Sequence, residues 1–178
     1  MSPIANHDPQ HVVDPWRFAG NFLRKVLSAQ IPDQPSHDPI PWAALRKPIP
    51  QSKVALLSTA GLSMKGDTPF DMELERKRPT RGDPSWRPLR ADATSDQVEA
   101  NHLHIDTGYI LRDLNVALPL DRLRECAEAG EIGAVSDTHY SIMGYQGNDS
   151  GELETNSAPQ IARSMQNEEV DLALLAPV

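Results

Sequence analysis

Apolar residues follow several spacings along the chain, and each spacing predicts a different element. Residues 53–59, Lys-Val-Ala-Leu-Leu-Ser-Thr, form a short continuous apolar run ending in Ala-Gly. That is the pattern of a central parallel strand feeding a loop. The runs at 101–105 and 170–176 predict two further strands, the last of them buried. Leu120, Leu123 and Ala127 share one helical face between Pro119 and Gly130, so the spacing predicts a helix over 119–129 with glycine as its stop. A second helix is predicted over 157–166, capped by Ser157, with Ile161 and Met165 facing inward. A third spans 15–30, where Asp14 can cap, Pro15 takes the first helical position, and Phe18, Phe22, Val26 and Leu27 recur at helical spacing. Strands alternating with helices imply a layered α/β fold, a mostly parallel sheet with flanking helices.

Proline and glycine mark the breaks in this pattern. Nine of the sixteen prolines lie in the first fifty residues, so residues 1–52 read as an extended arm holding one short helix, and 53–178 as the α/β body. Residues 65–96 are charged and carry Pro69, Pro79, Pro84 and Pro88, and so read mainly as an ordered loop excursion. Residues 144–156, with Gly147, Asn148, Asp149, Ser150 and Gly151, read as a surface loop or lid.

Composition narrows the function classes. The 178 residues suit one domain, and 17 basic against 25 acidic side chains give a formal charge of −8. The basic residues are scattered among acids, which argues against nucleic acid as a partner, because neutralising phosphates takes clustered Lys and Arg. No run approaches the roughly 20 apolar residues of a bilayer crossing, and the first thirty residues lack a secretory apolar stretch; the expected location is the cytoplasm, away from the membrane. Cys126 is the lone cysteine, so this chain supplies no internal disulfide and no multi-cysteine metal site.

His102, His104 and Asp106 alternate, and a strand would project all three from one face, where His139 can join them. Three readings stand side by side: metal ligation, proton transfer or substrate hydrogen bonding, and a polar strand end whose histidines bond backbone or carboxylates. The loop 59–63, with Thr59 and Gly61, can present backbone N–H groups to an anion at the carboxyl end of the sheet. Neither a dinucleotide fingerprint, nor a nucleoside-triphosphate loop, nor a G-x-S-x-G elbow is present. Asp67 and Asp71 read as loop-fixing acceptors of backbone N–H bonds. Cys126, between Glu125 and Glu128, reads as a small packing residue whose thiolate its neighbours disfavour.

Eight strings in order carry a family likeness. They are Val54-Ala-Leu-Leu-Ser-Thr-Ala-Gly61, Asp67-Thr-Pro-Phe-Asp71, Gly82-Asp-Pro-Ser85, His102-Leu-His-Ile-Asp106, Asp113-Leu-Asn115, Pro119-Leu-Asp-Arg-Leu123, Gly130-Glu-Ile-Gly133 and His139-Tyr-Ser-Ile-Met-Gly144. Over residues 50–178 the chain resembles the glycine/sarcosine/betaine/D-proline reductase selenoprotein B family, its D-proline reductase branch above all.

The resemblance implies that the strand at 170–176 leads directly into a catalytic selenocysteine, or cysteine, placed after Val178, and that the sequence stops there because a UGA codon was taken as termination. No catalytic residue is then expected within the chain itself. The position suits a chalcogen anion: just past a central strand, at the entry to a helix whose N–H groups and dipole lower its pKa. The family's chemistry is reductive cleavage of the C–N bond beside a carboxylate in glycine, sarcosine, betaine or D-proline. A dithiol is the reductant, and a partner subunit carries a pyruvoyl group. His102, His104, Asp106 and His139, with Thr59 and Gly61, are the implied pocket residues, and no metal or resident cofactor is expected in this chain. Residues 1–178 alone are then expected to fold poorly, the last strand lacking a covering helix, and to be inactive. The alternatives are a shortened nonenzymatic module that docks on a reductase partner or a small amino acid, and a metal-binding domain using the paired histidines.

Overall fold

A computed structural model describes residues 20–28, 43–77, 82–103, 105–146 and 150–178. The chain divides into two compact units, residues 1–41 and 42–178. In the first, the described residues hold helix α1, Asn21–Ser28, with Phe22, Leu23 and Val26 exposed. The rest of the helix predicted over 15–30 lies outside the described residues, apart from Gly20. No described helix is long and apolar enough to cross a membrane.

The second unit is built on β1, Lys53–Ser58, whose Ala55 and Leu56 are fully buried. As predicted, β1 is central and its partners β5 (Ala134–Val135), β6 (Thr138–Ile142) and β7 (Leu172–Ala176) all run parallel to it. β5 and β6 are two halves of one interrupted strand along one side of β1, and β7 lies along the other. A fifth strand, β3 (Trp86–Arg90), pairs antiparallel with β6 and closes that edge. A small separate ribbon joins β2 (Leu62–Met64) antiparallel to β4 (Val98–Ala100).

Both faces of the sheet are covered, the arrangement that the continuous apolar run of β1 requires. On one face Val54 and Leu56 pack with Leu62, Leu89, Val98, Ile110, Leu118 and Leu123, drawing in α3 (Thr107–Arg112) and α4 (Leu120–Glu128). On the other, Ala55, Leu57 and Tyr140 meet Ile161 and Met165 of α5, Ala158–Asn167. The α/β expectation holds, mostly parallel and layered.

Five local expectations are corrected. The excursion at 65–96 is more than loop, since it supplies α2 (Met72–Lys77) and the edge strand β3. Pro88 is tolerated in β3 because an edge strand leaves one side without ladder bonds to make. The described residues of 101–105 form no strand; pairing stops at Ala100, where Asn101 turns inward. The segment expected as a lid is helical from Gly151, passing through a π turn at Leu153–Ser157 into α5, and residues 147–149 lie outside the described residues. Ser157 therefore caps nothing: it is buried in helical conformation and its hydroxyl donates to Pro84 O at 2.7 Å. Finally, β7 lies at an edge rather than in the interior, with Leu174 and Leu175 exposed.

α4 and α5 end alike, and their ends differ in one residue. After α4, Gly130 N–H donates to Ala127 O and Glu131 N–H to Cys126 O, with Gly130 at φ 73°. After α5, Glu169 N–H donates to Gln166 O and Val170 N–H to Met165 O, with Glu169 at φ 56°. Both are Schellman closures, and the left-handed position favours glycine because it lacks a Cβ. Glu169→Gly is expected to stabilise the fold by about 0.5–1 kcal/mol, raising the thermal midpoint by roughly 1–4 °C in a calorimetric scan.

Candidate functional site

The carboxyl ends of β1, β6 and β7 meet at one loop. Thr59 N–H donates to Ala176 O at 3.2 Å, Gly61 N–H to Ile142 O at 3.0 Å, and Gly144 N–H to Thr59 O at 3.0 Å. Ala60 and Met143 form an isolated bridge between the turns. Open α/β sheets bind their ligands at this end. The loop is tight: a Cβ on Gly61 would stand 2.4 Å from Asn101 O, and Gly61 sits at φ 63°. Residues 59–62 do not offer free N–H groups to an anion, contrary to expectation. Besides the two donors above, Ala60 N–H is taken by Ser58 Oγ at 3.2 Å and Leu62 N–H by Ser141 Oγ at 2.7 Å. Those two serines are fully buried and act as acceptors for the turn.

Among the described residues, His102, Asp106 and His139 are not gathered as a strand would gather them. Asn101, buried, donates through its side-chain amide to Gly61 O (3.1 Å) and Ser63 Oγ (3.0 Å), and through its backbone N–H to Gly61 O (2.8 Å). It locks the end of β4 onto the loop after β1 and takes the chain out of the ladder. His102 follows it, half-buried; His104 lies outside the described residues. Asp106 is exposed and caps α3, accepting from Gly108 N–H at 2.9 Å. Among the described residues no three His, Cys, Asp or Glu converge as a metal-binding group.

His139 stands elsewhere, inside the sheet. Val54 lies opposite Val135 and Leu57 opposite Tyr140, so three steps along β1 span five along its partner, which bulges by two residues. At the bulge Ser136 N–H donates to Val54 O, and the Leu56 N–H donates to His139 Nδ1 at 2.9 Å. The imidazole thus supplies the acceptor that a backbone carbonyl would have supplied. Accepting at Nδ1 puts the ring proton on Nε2, which is buried and meets no acceptor among the described residues. Burial, with the nearby Arg124 guanidinium, lowers the His139 pKa to about 4 against the carboxylates of Glu168 and Asp137. Glu168 is held below the usual carboxylate range: burial pushes it up, but hydrogen bonds from Thr138 and Ser136 outweigh that.

A charged knot lies beside the carboxyl end, joining the second and third matching strings. Asp83, nearly buried, accepts from the N–H groups of Asp71 and Ser85 at 2.8 Å each and from the Ser85 hydroxyl. Arg87 lies 3.6 Å from it, stacks 4.4 Å over Phe70, and donates to Thr68 O and Pro69 O at 2.6 and 2.7 Å. Burial alone would raise the Asp83 carboxyl; the bonds from Ser85 and Asp71 and the Arg87 charge together hold it below the usual range. Asp71 Oδ1 accepts from Leu74 N–H, the local bond expected of it. Phe70, Asp71, Arg76, Asp83, Arg87 and Asn101 line an open cleft of about 590 Å³. The signal available in the sequence was the pairing of Asp and Pro in both strings.

Cys126 packs against the core, and its thiol pKa is raised by a hydrogen bond with Glu131, by desolvation and by Glu125. It is a poor nucleophile.

Comparison with known proteins fits this picture. A sequence model of the family described as glycine/sarcosine/betaine reductase selenoprotein B matches residues 32–177. The chain belongs to that family. The family match reaches into the proline-rich arm, beyond the span over which the eight strings run. Relatives include the D-proline reductase subunit gamma of Acetoanaerobium sticklandii, 31% identical over 141 residues, covering 79% of this chain and 54% of the relative. The glycine reductase complex component B subunit gamma of Carboxydothermus hydrogenoformans is 30% identical over 62% of this chain and 25% of its own length. The subunit of that name from Symbiobacterium thermophilum is 26% identical over 79% and 32%. The chain thus spans about half the length of the first of these family members and less of the others. No solved structure matches.

Two outcomes test the geometry. In the unfolded chain His139 titrates near 6.5, in the folded one near 4, so the unfolded state takes up the proton first. Stability present above about pH 6.5 should therefore fall by roughly 3 kcal/mol by pH 4. Denaturant unfolding across this window should show that slope, and His139→Gln should reduce it by about one proton. Asp83→Ala, which removes the carboxylate beside Arg87 and leaves the N–H groups of Asp71 and Ser85 without their acceptor, should cost about 3 kcal/mol in the same assay.

Proposed function

We propose that this chain forms the N-terminal part of a selenoprotein B-type reductase subunit, which cleaves a C–N bond beside the carboxylate of glycine, sarcosine, betaine or D-proline. The nucleophile is a selenocysteine or cysteine directly after Val178, the reductant a dithiol, and the partner a subunit bearing a pyruvoyl group. Membership of the family and the subunit names of its relatives support a place in such a complex.

One observation carries the reading. β7 runs parallel to β1 in unbroken register from Val54–Leu172 to Ser58–Ala176, and so delivers Val178 to the Thr59 loop. A residue placed next stands at the sheet's carboxyl end, the ligand-binding end of open α/β folds. The outer edge of β7, with its exposed Leu174 and Leu175, is an uncharged edge that natural sheets cover, which favours a continuing α/β layer.

The site fits a chalcogen in one respect and limits it in another. Gly61 and Gly144 let the turns close tightly on Thr59, a firm seat for the residue that follows Val178. The N–H groups at 59–62 are already engaged, so the anion is held by donors that follow Val178 rather than by this loop. The chalcogen supplies a nucleophile that displaces the amine from the α-carbon, and two electrons from the dithiol, which becomes a disulfide, convert the C–N bond to C–H and N–H. Of the pocket histidines, His102 hangs from Asn101 and thus from Gly61, and is our candidate for proton movement at the substrate. His139 acts on the sheet.

The source gene decides between this reading and a shortened binding module. A UGA or cysteine codon after Val178, followed by in-frame coding, is the expected result, together with dithiol-dependent cleavage of one of the four substrates by the complete gene product and its partner subunits. Any other codon at that position, or a purified complex inert toward all four, would overturn it.

A further inference from the structure

Resting on the functional reading above, we propose that Thr59 is a positioning residue whose hydroxyl fixes the backbone at Val178 and thereby the orientation of the chalcogen that follows. Regular pairing between β1 and β7 ends at Ser58 and Ala176. Two residues further on, Thr59 Oγ1 accepts a hydrogen bond from Val178 N–H at 2.8 Å and stands 3.4 Å from Val178 O. A side chain thus continues the ladder where the backbone no longer can, and it touches the N–H of the peptide bond before Val178 and the carbonyl of the bond after it, so that both planes flanking the Val178 Cα are tied to Thr59.

Thr59 is itself held from both sides. Its N–H donates to Ala176 O and its carbonyl accepts from Gly144 N–H. Gly144 packs so closely that a Cβ there would lie 3.0 Å from both Cβ and Oγ1 of Thr59, so the hydroxyl has little freedom to swing away. The loop N–H groups have internal partners and the hydroxyl is committed to Val178. The role left to Thr59 is therefore geometric, distinct from contact with substrate.

Valine has nearly the shape of threonine without the hydroxyl, and serine keeps the hydroxyl without the methyl. In the complete gene product with its partner subunits, Thr59→Val should lower kcat by about ten- to a hundredfold, the loss expected of an ångström-scale displacement, with KM within about twofold. Thr59→Ser should retain most of kcat. With cysteine in place of selenocysteine after Val178, the pH profile of its alkylation by iodoacetamide should move upward in Thr59→Val and stay in place in Thr59→Ser, because a displaced thiolate loses its aligned donors. Wild-type kcat and alkylation profile in Thr59→Val would overturn the proposal. If Thr59→Val also melts early, Thr59→Ser decides: retained kcat supports the role, and lost kcat at unchanged KM overturns it. A wild-type complex without turnover, or without a chalcogen after Val178, defeats the functional reading and this inference with it; an active wild type beside an equally active Thr59→Val defeats the inference alone.

Discussion

The hydrogen bond from the Leu56 N–H to His139 Nδ1 sits at the one place where the β1 ladder is broken, and the geometry of the carboxyl end descends from it. Two extra residues on the partner strand would leave the Leu56 N–H buried without an acceptor, a cost of about 1–3 kcal/mol. The imidazole removes that cost and lets pairing resume two residues later, so that β6 reaches Ile142 in step with β1. From there Gly61 finds Ile142 O, Leu62 finds the Ser141 hydroxyl, and Gly144 closes on Thr59. A shift of one residue at the bulge would turn the buried serines and Tyr140 to the wrong faces.

The carboxyl-end loop is consequently saturated. Serines 58, 63 and 141 with Asn101 consume the donors and acceptors that a turn of this kind often offers to a ligand. Such a loop is a rigid support. The knot of Asp83, Arg87 and Phe70 lines the open cleft beside it.

Much of the fold was legible in the pattern of residues. The apolar run of β1, and Pro119 with Gly130 around α4, dictate their elements locally, through burial and stop signals that need no tertiary partner. Strand β6 was missed because His139 and Ser141 look polar; both are buried because each satisfies a specific backbone N–H on a distant segment. The strand expected at His102 failed for a related reason: Asn101 makes three bonds to residues about forty positions away, and no local propensity reports them. Alternation of His102, His104 and Asp106 therefore suggested one face, whereas Asp106 serves as a cap. For the candidate site, Thr59 and Gly61 stand where the strand–loop pattern put them, while the Asp83–Arg87 knot depends on a carboxylate meeting a main chain twelve residues away.

The central position of β1 has a consequence in time. It is the earliest strand of the body to be made, yet the acceptor for its Leu56 N–H lies 83 residues later, and Val178 meets Thr59 across a separation of 119. At synthesis rates of about 5–20 residues per second, this apolar strand waits roughly 6–24 seconds for its last neighbour. High contact order of this kind slows folding and leaves a sticky strand uncovered on the ribosome. The same topology that brings three strand ends to one loop defers the covering of that side of β1 until β7 is made.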